Sequence, residues 1–215
     1  SDLEMNLTGI KLKDDEFIAL MKEIPNAKNL ESLAIKISDT ITEKSNNAIK
    51  TVLQSLNFLL SLHLRIYLTV ENHKLLKFVI DGLQSYNSNA YINMEFIGNK
   101  MHEQVLDSYL SALASKEKAK LLIKDLTIRV YVESHSCMVK LGKLINELTA
   151  LKGLRLTISS FDELNSGRIE SFCSSFSRVN ILRFQLKIDF CNPLSQEETI
   201  CLIEALAHMK NLIER

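Results

Sequence analysis

The sequence predicts an α/β protein built on one parallel sheet, and three observations predict it. Short segments alternate apolar and polar residues, as a strand with one buried and one wet face does. Each gives way to apolar residues at helical spacing, so a strand feeds a helix and not a hairpin partner. The pair then recurs at near-constant period. Ser61 to Asn72, SLHLRIYLTVEN, shows the alternation: Leu62, Leu64, Ile66 and Leu68 are separated by His63, Arg65 and Tyr67.

The strands align as LESLAIKI from Leu30, LLSLHLRI from Leu59, NAYINMEF from Asn89, IKDLTIRV from Ile123, LKGLRLTI from Leu151 and ILRFQLKI from Ile181. Each ends in an apolar–x–apolar–x–apolar triplet, starting at Leu33, Leu62, Ile92, Leu126, Leu154 or Phe184. Leu3–Met5–Leu7 extends the series by one more step before Leu33, and the widest step runs from Ile92 to Leu126. That makes about seven repeats of roughly 28–34 residues, a period typical of solenoid arrays.

Helical stripes follow the strands in order. They comprise Phe17, Leu20, Met21 and Ile24, then Ile49, Val52, Leu53 and Leu56, then Leu76, Val79, Ile80 and Leu83. Val105, Leu106, Tyr109, Leu110 and Leu113 come next, followed by Leu141, Leu144, Ile145 and Leu148. Ile169, Phe172, Cys173 and Phe176, and finally Ile200, Ile203, Leu206 and Ala207, complete the series. Such stripes are core-facing by default. Helix starts are marked by Asp14-Asp15-Glu16, by Asn165-Ser166, and by Ser195 with Glu198 as a capping box. The longest unit holds ALASKEKAKLLIKDL, expected to be a lengthened helix end with a solvated charge cluster.

A βα unit of about 29 residues with strand pattern LxxLxLxL resembles the leucine-rich repeat family, in its ribonuclease-inhibitor-like class. The resemblance covers nearly the whole chain. It implies a right-handed solenoid, a horseshoe with the parallel sheet on its concave face and helices on its convex face. Leu62, Leu64 and Ile66 then point into the core while His63, Arg65 and Tyr67 point into the concavity. A doubly wound sheet, covered on both sides, would show near-continuous apolar strands and a glycine-rich turn. The six glycines form no GxGxxG or P-loop pattern. The family's turn asparagine is met only by Asn99 and Asn192, in shifted positions, so the turns are expected to stack irregularly.

The domain expectation is one leucine-rich-repeat domain over residues 1–215, a piece of a longer protein. Leu3 already falls inside a strand triplet, and Leu212 looks like the entry to another strand. Solenoids need polar caps, so Leu3, Met5, Leu7 and Leu212 are expected to be partly exposed. End-to-end self-association or cover by adjacent domains would follow.

Composition excludes several classes. The 26 basic and 26 acidic residues cancel, which gives no global argument for nucleic acid or an anionic membrane. No segment reaches the roughly 18 to 20 apolar residues of a membrane helix, and the first residues do not form a signal peptide. Cys137, Cys173, Cys191 and Cys201 form no CxxC pair and read as reduced thiols of a cytoplasmic or nuclear protein.

Chemistry-bearing motifs are sparse. His135 and Cys137 form SHSC, but Cys191 lies two units away, roughly 10 Å by strand spacing, too far to share a metal. GxSxG, HExxH and kinase patterns are missing. The reading is therefore a non-enzyme without cofactor or metal.

The wet sheet face is what remains. Its alternation gives one column of Ala34, His63, Asn93, Thr127, Arg155 and Gln185, and another of Lys36, Arg65, Glu95, Arg129, Thr157 and Lys187. A third holds Tyr67, Ile97 and Tyr131. The expected partner-binding residues are Lys36, His63, Arg65, Tyr67, Glu95, Arg129, Tyr131, Arg155 and Lys187. Four of six residues in the second column are basic, with Glu95 opposing them. The expected function is a protein-interaction scaffold that holds an acidic segment of a partner. Nucleic acid is disfavoured by the few charges and the acidic interruption. Fold analogy offers an alternative, a regulator of another enzyme such as a GTPase activator or a ubiquitin-ligase substrate receptor.

Overall fold

A computed structural model describes residues 2–6, 12–27, 29–37, 41–56, 58–67, 74–84, 90–101, 103–114, 116–132, 134–160, 181–190 and 195–207. The chain runs β1 (Asp2–Asn6), α1 (Asp14–Glu23), β2 (Ser32–Ile37), α2 (Asn46–Ser55), β3 (Ser61–Tyr67), α3 (Leu75–Leu83) and β4 (Tyr91–Met101). It continues through α4 (Glu103–Ala114), α5 (Glu117–Leu122), β5 (Ile123–Val132), α6 (His135–Glu147), β6 (Gly153–Ser160), β7 (Arg183–Phe190) and α7 (Gln196–Ala207). Short 3-10 turns at Ile24–Asn26 and Glu43–Ser45 flank the second strand.

The seven strands form one sheet in chain order, β1 to β7, and every neighbouring pair is parallel. The protein is therefore α/β with an all-parallel sheet. Alternate strand residues are buried and half-buried along β2 and β3. Their buried sets join the stripes of α1 to α4 and α6 in one apolar cluster, within which Leu62, Leu64, Ile66, Leu76, Ile80 and Leu144 are almost fully enclosed. The helices stack in turn, α1 on α2, α2 on α3, α3 on α4 and α4 on α6. Gly82 sits where α3 meets α2, and a Cβ there would lie 2.7 Å from Leu53 Cβ. An alanine at position 82 would push the helices apart.

Helix faces follow the sequence reading over most of the described chain. Those of α1, α2, α3, α4 and α6 are buried apart from the partly buried Leu20 and Leu110. Those of α7 are not: Ile200 is 46% and Ile203 60% exposed, while Leu202 packs on the core. The stripe at Ile169, Phe172, Cys173 and Phe176, and the helix start at Asn165-Ser166, lie outside the described residues, as do Leu7, Cys191, Asn192, Leu212 and the side chain of Leu206. Leu3 and Met5 are partly buried against the core.

The longest unit departs from expectation. ALASKEKAKLLIKDL forms no lengthened helix; α4 ends at Ala114 and a separate α5 starts at Glu117. Nor is its charge solvated throughout. Lys120 is 7% exposed, donates to Glu117 Oε1 at 2.8 Å and lies 2.7 Å from Glu147 Oε2. Hydrogen bonds to Glu117 and Glu147 raise its pKa against the opposing cost of burial.

The insertion also moves the sheet register. Ile92 pairs with Ile123, but Asn93 pairs with Asp125, so Lys124 is an extra residue, a bulge. Leu126 consequently sits beside Met94 and not beside Ile92. The buried layer expected to hold Leu33, Leu62, Ile92, Leu126, Leu154 and Phe184 is really two layers. Leu3, Leu33, Leu62, Ile92 and Ile123 make one, and Met5, Ile35, Leu64, Met94, Leu126, Leu154 and Phe184 make the other. A second irregularity between Gly98 and Met101 gives β4 an extra residue in turn.

Turn contacts between units take a form different from an asparagine ladder. Asp14, opening α1, accepts from Thr42 N at 3.0 Å, Thr42 Oγ1 at 2.6 Å and Ser45 Oγ at 2.6 Å. Burial raises the Asp14 pKa, but the Ser45 and Thr42 hydrogen bonds outweigh it and the net shift is downward. Glu103, opening α4, accepts from Ser134 Oγ at 3.1 Å and Lys140 Nζ at 3.3 Å. Ser134 in turn caps α6 by accepting from Cys137 N. An acid at one helix start thus binds a hydroxyl at the start of the next unit's turn or helix. Asn99 falls within β4.

Candidate functional site

The site is built by side chains that alternate outward from the sheet. The outward residues of β2 and β3 are half-buried, and Arg129, Arg155, Arg183, Gln185 and Lys187 on later strands are exposed. The bulge at Lys124 changes who stands beside whom. The observed columns run Ala34, His63, Asn93, Asp125, Gly153, Arg183 and then Lys36, Arg65, Glu95, Thr127, Arg155, Gln185. Tyr67, Ile97, Arg129, Thr157 and Lys187 make a third, and Tyr131 stands beside Ser159, away from the Tyr67 column. The expected columns are correct from β2 to β4 and from β5 to β7, and wrong by one step between.

Glu95 is the largest correction. It is 4% exposed, so it does not stand in the open as a partner-binding acid. Arg65 donates its Nε to Glu95 Oε2 at 2.5 Å, Arg129 Nε lies 3.6 Å from Oε1, and His63 Nε2 lies 3.8 Å from Oε2. Two arginines of the supposed basic stripe are thus held by one buried carboxylate. Lys36 is also paired, at 2.7 Å with Glu4, whose pKa the Lys36 hydrogen bond lowers. His63 is pushed below the usual histidine range by burial, against the pull of Glu95 and with help from Arg65 and Lys36.

Beyond this cluster the face opens into a cleft of about 340 Å³, lined by Asn93, Asp125, Thr127, Gly153, Arg155, Arg183 and Gln185 with Leu126, Leu154 and Phe184 at its base. Gly153 makes room for an ion pair at the cleft wall. It stands between Asp125 and Arg183 in its column, and a Cβ there would overlap Asp125 Oδ1. Because the position carries no side chain, Arg183 Nη2 reaches across it to Asp125 at 2.9 and 3.0 Å and to Tyr91 Oη at 3.2 Å. Arg155 is exposed and has no ion pair to any described residue. The Asn93 Oδ1 atom is buried without a hydrogen-bond partner.

The expected site residues divide accordingly. His63, Arg65 and Arg129 gather on Glu95 across β3 to β5, and Lys36 pairs separately with Glu4 on β1. Arg155 lines the cleft. Tyr67 and Lys187 lie in the same observed column, Tyr67 half-buried and Lys187 exposed, while the Tyr131 hydroxyl is buried. Sequence reasoning missed Asp125, Gly153 and Arg183 altogether. Their signal was there: opposite charges two units apart at one aligned position, with glycine between.

Of the cysteines within the described residues, Cys137 is buried and Cys201 half-buried. Among the described residues no helix is long and apolar enough to cross a membrane. A scan against protein-family models gives no match to this chain, and a search of curated proteins gives none.

Proposed function

We propose that this chain is a leucine-rich-repeat solenoid, right-handed and curved, whose outward sheet face holds a protein partner without chemistry of its own. What carries the reading is the asymmetry of the sheet. Its apolar face is closed by stacked helices, whereas its other face is polar, partly open and indented by the Gly153 cleft. Sequential parallel strands at a near-constant period are what a one-dimensional repeat array produces, and such arrays bind along their sheet face.

The charge network supports a binding role over a catalytic one. Glu95 is committed to Arg65 and Arg129, and Asp125 to Arg183, so both carboxylates are engaged in ion pairs within the sheet face. The test compares capture of a protein retained by the unaltered chain. Arg155→Glu with Lys187→Glu changes the sheet face; Lys77→Glu with Lys143→Glu changes exposed helix positions. Loss of capture with the first pair and retention with the second is expected. The opposite pattern would place the partner on the helices.

A further inference from the structure

We infer that the Gly153 cleft is the specificity pocket of this face and that it takes a carboxylate-bearing, extended segment of another polypeptide. The inference rests on the sheet-face reading above and gives it a ligand chemistry.

Three observations converge. The cleft holds Arg155 and Arg183 against Asp125, a net charge of +1 by the count 2 − 1. Asp125 already occupies one nitrogen of Arg183 with both its oxygens, leaving Arg155 as the cation without an ion-pair partner among the described residues. An arginine fork matches a carboxylate in a plane, with two parallel hydrogen bonds.

The second observation is Asn93. Its Oδ1 is buried and has no donor, and Asn93 lines the cleft, so turning the amide outward presents the acceptor to an incoming N–H and relieves that cost. A peptide carries both demands at once: a side-chain carboxylate for Arg155 and backbone N–H groups for Asn93. The third is shape. The Asp125–Arg183 pair fills the space over Gly153, and the open cleft of about 340 Å³ beside it lies at the small end of ligand-binding clefts. A phosphodiester chain is the competing anion, and it brings no backbone N–H for Asn93.

The probe is acetyl-triglutamate-amide, titrated into the isotope-labelled 215-residue chain and followed by backbone amide shifts. The amides of Thr127, Gly153 and Arg155 should move together and saturate. Arg155→Gln should weaken binding at least tenfold, Asn93→Leu should weaken it independently, and Lys143→Glu on α6 should change nothing. The trilysine analogue should not bind.

Absent or scattered shifts, or an Arg155→Gln variant that binds as well as the original, would overturn the inference. So would tighter binding of a single-stranded oligonucleotide to the same residues. If triglutamate fails while partner capture still depends on Arg155 and Lys187, only the carboxylate specificity is lost. If capture depends on the helix face, the sheet-face reading falls with it.

Discussion

Arg65 on β3 donates its Nε to Glu95 on β4 at 2.5 Å, and the carboxylate it meets is 4% exposed. Arg129 approaches the other oxygen of the same carboxylate from β5. A buried charge stripped of its partners is costly, of the order of 3 to 5 kcal/mol for a fully buried pair. Because Arg65 and Arg129 are themselves 29% and 48% exposed, the lower end applies. Reversing both to Glu should cost about 3 kcal/mol, which in a chain this size lowers Tm by roughly 6 to 12 °C. Thermal unfolding checks this. An unchanged Tm would mean that Glu95 does not depend on them.

Gly153→Ala should destabilise the protein by about 1 to 2 kcal/mol, within the usual range for a steric insertion. The new methyl overlaps the Asp125 carboxylate and forces it away from Arg183. Adding Asp125→Ala should recover most of the loss, because the obstructing oxygen is gone. Denaturant midpoints of the single and double variants measure the coupling. Simple additivity would contradict the notch.

Tyr109 on α4 is buried, stacks edge-on to Phe96 with ring centroids 5.1 Å apart, and has a hydroxyl without a partner. Burial raises its pKa well above the usual tyrosine value. Tyr109→Phe keeps the ring and deletes the unsatisfied group, so stability should hold or rise by up to about 1 kcal/mol. Tyr109→Ala should cost about 3 to 5 kcal/mol as a large-to-small core change. Chemical denaturation distinguishes them, and a destabilised Phe variant would reveal a partner for the hydroxyl.

His63 gives the face a pH dependence with a defined sign. Burial lowers its folded pKa below the ordinary value of about 6.5, outweighing Glu95, while Arg65 and Lys36 add to the depression and Glu4 opposes it. The unfolded state therefore takes up the proton first. Its contribution is fully present above about pH 6.5 and is lost as pH falls toward the folded pKa. Denaturant midpoints at pH 7.5 and 5.5 should differ less in His63→Asn than in the parent. Equal pH sensitivity in both would rule His63 out as the source.

The strands, their inward faces and the Ser195–Glu198 capping box were legible in the sequence. Ser195 N donates to Glu198 Oε2 at 2.7 Å and Glu198 N to Ser195 Oγ at 3.2 Å. The register between β4 and β5 was not. Side chains alternate with period 2, so sliding the pairing by two residues leaves every inward residue inward, and hydropathy carries no trace of it. The only hint was the widened interval between Ile92 and Leu126, which reads equally well as extra helix. Glu95's burial escaped for a related reason. Its alternation places it outward, and only the arginines that close over it from β3 and β5 take it from water. The α7 stripe failed because spacing fixes which residues share a face but not what that face meets.

The central claim is a division of labour among cations on one sheet face: Arg65 and Arg129 hold Glu95, and Arg155 is left for a partner. One measurement separates them, the Tm of each variant with and without saturating partner. Arg155→Glu should melt like the parent alone and gain nothing from the partner, whereas Arg65→Glu with Arg129→Glu should melt several degrees lower alone. An Arg155→Glu variant that is still stabilised by the partner, beside an Arg65/Arg129 double variant with parental Tm, would contradict the account.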